Sequence, residues 1–150
     1  MPDSLRDRLL GAWRLLDALA EPVDGSTPHR PHGPRPAGLI LYTPDGHVSV
    51  QIMEPDRAVP ESTDWTALTP EEYAAEGRTY FGYAGRFDVD EAAGTVTHHV
   101  EVSLFPGWVG DGQLRLVELE GNRLTLSTPT PFLTGGKLVR MRLNWERASG

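Results

Sequence analysis

The stretch Gly94-Thr95-Val96-Thr97-His98-His99-Val100-Glu101-Val102-Ser103-Leu104-Phe105-Pro106-Gly107-Trp108 constrains the fold more than any other part of this chain. It opens with a turn, runs as a long alternation and ends in an aromatic loop. Val96, His98, Val100 and Val102 share one face, and Thr97, His99, Glu101 and Ser103 share the other. Side chains of a strand point alternately to its two faces, so this pattern marks a strand with one buried and one wet side. His98 falls on the apolar side and His99 on the polar side.

The same signal recurs along the chain. Gly11 to Ala18 reads as a first strand. Ala37 to Thr43 and His47 to Met53 form a hairpin about Pro44-Asp45-Gly46, where Pro presets φ and Gly supplies a positive φ. Val48, Val50 and Ile52 share one face of that hairpin, while Ser49 and Gln51 share the other. Tyr80 to Val89 places Phe81, Tyr83, Phe87 and Val89 on one side. Gln113 to Leu119 and Arg123 to Thr128 follow as a sixth and seventh strand. Lys137 to Arg147 is the eighth, with Val139, Met141, Leu143 and Trp145 inward. Ser4 caps a short helical turn to Leu10. Thr69-Pro70-Glu71-Glu72 starts a helix reaching about Gly77, with Thr at the N-cap and Pro at N1. Glu21 to Pro36, Glu54 to Leu68 and Pro129 to Gly136 read as loops.

The predicted fold is therefore all-β: an eight-stranded antiparallel up-and-down barrel, with a short N-terminal helical turn and one helix between strands three and four. The 150 residues fit one domain. Helices are too few to cover a second sheet face, and closing the sheet removes its edges. A two-sheet sandwich is the alternative. An eight-stranded barrel is just wide enough for packed side chains or one small ligand.

Composition excludes several functions. With no Cys, disulfides, thiol chemistry and Cys-based zinc sites are out, and a reducing cytoplasmic location fits most simply. The first residues, Met1-Pro2-Asp3-Ser4-Leu5-Arg6-Asp7-Arg8, are charged and lack the apolar core of a signal peptide. No apolar run is long enough to span a membrane. A net charge of −7 argues against nucleic acid as the main partner. Phosphate loops, dinucleotide fingerprints and Gly-X-Ser-X-Gly or His-Glu-X-X-His motifs are absent from the sequence, so an enzyme of this kind is expected to work without a cofactor or metal.

Gly11-Ala12-Trp13, early in the first strand, resembles the Gly-X-Trp signature of the lipocalin/calycin group. Arg147 then resembles the basic residue that stacks over that Trp and closes the barrel floor. The wider match is to the lipocalin-like domain family of bacterial and fungal proteins. It rests on Gly94 to Trp108, on Leu41 to Gly46 with Ser49 to Ile52, on Tyr83-Ala84-Gly85, on Leu124 to Ser127 and on Trp145-Glu146-Arg147. The chain departs from secreted lipocalins in having no signal peptide, no disulfide and no long C-terminal helix, which points away from extracellular transport. The resemblance implies a calycin-like barrel and a natural-product setting, where a cyclase or isomerase role arises.

Three functions stay open on the sequence. The first is a barrel binding a small hydrophobic molecule. The second is a cofactor-free cyclase or isomerase on a polyketide- or terpenoid-like substrate, with His98 and Tyr83 as acid/base groups and Arg115 as anion stabiliser. The third is a homodimeric scaffold whose barrel is filled by its own side chains. Phe81, Phe87, Val100, Phe105, Trp108 and Met141 are the expected ligand contacts. His98 fills space in the wall with one ring N–H satisfied, or it lines a cavity as a proton-transfer group with an ordinary pKa near 6.5. Arg115 shares its parity with Gln113, Val117 and Leu119, and the pattern leaves that face inward or outward. His29 and His32 read as solvent-exposed loop residues.

Overall fold

The computed structural model describes residues 3–148. Met1 and Pro2, at the head of the charged N-terminal stretch, lie outside the described residues, as do 149–150. The strands are β1 (Gly11–Pro22), β2 (Ala37–Tyr42), β3 (His47–Met53), β4 (Tyr80–Asp90), β5 (Thr95–Ser103), β6 (Gly112–Glu120), β7 (Arg123–Ser127), β8 (Phe132–Thr134) and β9 (Lys137–Arg147). All pairings among them are antiparallel, and β1 joins β2 on one side and β9 on the other, so the sheet closes on itself. Eight strands make the barrel. The three-residue β8 lies in the segment read as a loop and pairs only with β9. β1 runs on to Pro22, four residues past its expected end, because its second half pairs with β9.

The two ends of the barrel are built differently. At one end helix α1 (Leu5–Leu9) plugs the floor, with Leu9 fully buried. The Trp13 indole N–H donates to the Leu9 carbonyl at 2.9 Å. The Arg147 guanidinium lies 4.0 Å above the Trp13 ring and donates to the carbonyls of Leu10 and Arg8 at 2.8 and 2.6 Å. Glu91, in the β4–β5 turn, accepts from the first amides of α1 at 2.7 and 3.1 Å, where a helix start favours a carboxylate. The tight β2–β3 turn is at this end too, with Gly46 at φ +93°. The other end carries the long connections, β1–β2, β3–β4, β5–β6 and β7–β9, and is the mouth. Helix α2 (Pro70–Arg78) sits in the β3–β4 connection. Its start is the capping box of Thr69 and Glu72, and it buries none of its residues.

One expected facing is corrected. Val102 does not share the inner face with His98 and Val100; it is 62% exposed. Opposite β5, Gly85 pairs with Val100 but Ala84 pairs with Val102, so Glu101 is an extra residue in the ladder. Such a bulge reverses the alternation beyond it. The approach is very close: a side chain on Gly85 would run into the backbone carbonyl of His99.

Candidate functional site

The inward faces of the strands leave a cavity of about 160 Å³ in the mouth half of the barrel. Phe81, Tyr83, His98, Trp108, Arg115 and Met141 line it, so six of the expected site residues are brought together. Ile40, Val50, Ile52, Leu126, Leu143 and Trp145 complete the wall, and Pro31 and His32 from the β1–β2 loop and Phe132 and Thr134 from β8 line it at the mouth. The lining contains no Asp or Glu.

Three residues expected to contact a ligand lie elsewhere. Phe87 belongs to the floor, edge-on to Tyr42 at 4.9 Å and beneath the Arg6 guanidinium at 5.1 Å. Val100 is buried in the core outside the cavity wall. Phe105 is 53% exposed and its ring folds over Gly107 on the outside of the loop. The 3-10 turn Pro106–Trp108 instead carries Trp108 back over the barrel. There it meets Phe81 and Tyr83 edge-on at centroid distances of 5.0 and 5.5 Å, a favoured aromatic geometry.

At the centre of the wall His98 is held between two phenols. Tyr42 Oη is 2.8 Å from its Nε2, and Tyr83 Oη is 2.7 Å from its Nδ1. Burial first, then the neighbouring Arg115 and His99, lower the His98 pKa to about 3. The ring is therefore neutral, with one N–H and one lone pair. Tyr42 is buried outside the cavity lining and has no other hydrogen-bond partner among the described residues, so its O–H must donate to Nε2. The proton then sits on Nδ1 and donates to Tyr83 Oη. This leaves the Tyr83 O–H free to donate into the cavity. Burial raises both phenols above their ordinary range, Tyr42 the more so, while Arg115 opposes the rise. Both remain neutral donors.

Arg115 faces inward. β6 exposes Leu114 and Leu116, at 44% and 41%, and turns Gln113, Arg115, Val117 and Leu119 toward the barrel. The guanidinium donates to the Leu114 carbonyl at 2.9 Å and to Gln113 Oε1 at 3.3 Å, and pairs with no carboxylate among the described residues. Trp145, also in the wall, has a buried indole N–H with no acceptor among the described residues.

Sequence reasoning missed Tyr42, Trp145 and His32. Parity could have found Tyr42, two residues from the inward Ile40 and opposite Val48. His32 lines the mouth instead of standing in solvent, and burial lowers its pKa against the opposing pull of Glu54. His29 stays exposed, its backbone bridging Ala20. Among the described residues no cluster of three or more His, Asp or Glu could hold a metal, and no helix is long and apolar enough to cross a membrane.

Comparison with known proteins agrees with this barrel. The model of the lipocalin-like domain matches residues 10–148. The chain belongs to the lipocalin-like domain family. One relative is the 4'-hydroxy-3'-methoxypropiophenone carrier protein ppsC of Aspergillus oryzae (strain ATCC 42149 / RIB 40), 37% identical over 106 residues, which cover 67% of this chain and 96% of the relative. Trp13 and the stretch from Gly94 to Trp108, on which the resemblance rests, both fall inside the matched range, one at the floor and the other running to the mouth.

Proposed function

We propose that this protein binds and carries a small aromatic ketone, or a similar one-ring molecule with oxygen acceptors, inside its barrel. The observation that carries the reading is the apolar cavity of about 160 Å³ with the Tyr83 O–H and Arg115 on its wall. An apolar cavity of roughly 150 Å³ in another protein holds a benzene, so one substituted ring fits here with its chain toward the mouth. The cargo in the name of the Aspergillus relative is of this kind.

Carriage is favoured over turnover by the state of His98. A ring with both nitrogens engaged and a pKa of about 3 is a poor base at neutral pH. Its role is to orient Tyr83. Titrating the protein with 4'-hydroxy-3'-methoxypropiophenone tests the reading, because Trp108 and Trp145 line the cavity and report occupancy by fluorescence. Saturable one-to-one quenching, weakened by the cavity-filling Leu143→Phe, is the expected result. Absence of binding would sink it. Chromatography of the recovered ligand separates carriage, which returns it unchanged, from an isomerase, which does not.

A further inference from the structure

We propose that the cavity takes its ligand as an oxyanion, namely the phenolate of an acylphenol, with Arg115 as counter-ion and the Tyr83 O–H donating to an oxygen of the same ligand. This rests on the carrier reading and adds the charge state of the cargo.

The first half of β6 is inverted. In β6 two leucines face solvent while an arginine faces the barrel, an exchange that costs stability on both counts. Among the described residues nothing compensates it with charge. Among the described residues Arg115 hydrogen-bonds only to a backbone carbonyl and an amide oxygen. Its neighbour β7 presents Leu124 and Leu126, and β9 presents Met141, Leu143 and Trp145. On β5 His98 is neutral, and β4 and β2 contribute the neutral phenols Tyr83 and Tyr42. His32 is the remaining titratable group in the lining, and Glu54 lies outside it. The interior thus has donors in excess: the Arg115 guanidinium, the Tyr83 O–H and the unpaired Trp145 N–H, with no carboxylate. A cation in a low-dielectric wall attracts an anion far more strongly than it would in water. An acyl group para to a phenol withdraws charge and makes it a stronger acid than tyrosine, whose pKa is about 10. Binding then releases one proton to solvent through the mouth, with no bond made or broken in the ligand besides that O–H.

The probes are 4'-hydroxypropiophenone and its methyl ether, 4'-methoxypropiophenone, which cannot ionise. At a pH below the free phenol's pKa, the wild-type protein is expected to convert bound 4'-hydroxypropiophenone to the red-shifted phenolate spectrum. It is also expected to bind the hydroxy probe at least about tenfold more tightly than the ether, in line with a charge-assisted contact. Arg115→Gln is expected to remove the spectral shift and the preference for the hydroxy probe, whatever it does to the affinity for the ether; Arg115→Lys keeps part of both. If the hydroxy probe binds wild type with the spectrum of the neutral phenol, the anion proposal fails and carriage stands. If neither probe binds, the carrier reading fails and takes this proposal with it.

Discussion

His98 shows how a single buried ring sets properties well beyond its own contacts. Its pKa of about 3 lies below the unfolded value near 6.5, so between these limits the unfolded chain binds a proton that the folded chain refuses. Its contribution is complete above about pH 6.5 and is lost as pH falls toward 3. Chemical denaturation from pH 5.5 to 4.5 is expected to show wild type losing about 1.3 kcal/mol more than His98→Gln. Equal slopes would mean that His98 is not held neutral. The depressed carboxylates Asp24, Asp45 and Asp64 start from 3.8 and titrate below this window. For Tyr83→Phe, the His98 Nδ1–H loses its acceptor and the cavity loses a donor. Stability should fall by about 1–3 kcal/mol and affinity for an aryl ketone by about tenfold, read by denaturation and titration. Parity could place His98 and Tyr83 inside from the residues alone. It could not show that two phenols grip one imidazole, because Tyr42, Tyr83 and His98 come from three different strands.

Among the elements, β5 determines where the site sits, and α1 closes the opposite end. The β5 bulge opposite Gly85 keeps His98 and Val100 inward while it turns Val102 out and sends the chain toward Trp108. Gly85→Ala places a methyl against the His99 carbonyl, so the bulge must open; a loss of about 3 kcal/mol is expected in denaturant unfolding. A loss below 1 kcal/mol would show that the bulge relaxes freely. The bulge was not legible in the strand's alternation, and its one local signal is the glycine on the partner strand. At the floor, Arg147 combines a stacked guanidinium with two carbonyl contacts. Arg147→Ala should cost about 2 kcal/mol, and Arg147→Lys should recover little of it because an ammonium lacks the planar fork. By contrast, the start of α2 was legible from Thr69, Pro70 and the acids of the first turn, since an N-cap is a local device that needs no tertiary partner.

For the whole molecule, occupancy of the cavity should register as stability. A ligand at about 100 times its Kd adds about 2.7 kcal/mol, which for a chain of this size raises Tm by roughly 5–10 °C. Thermal unfolding with and without 4'-hydroxy-3'-methoxypropiophenone measures this, and Leu143→Phe should remove the shift. What the sequence by itself determined here is the class of fold. Alternation, Pro-Asp-Gly and other Gly-centred turns, and the scarcity of helix leave a closed antiparallel sheet as the main solution, because every strand has one face to bury and edges to pair. The stretch from Gly94 to Trp108 carried that signal most clearly. Only the tertiary structure decided which face of β6 turns inward, that Phe105 stays outside while Trp108 enters the wall, and that His98 is neutral. Those outcomes depend on inter-strand register and on the dielectric of the closed interior, which arise when distant strands meet.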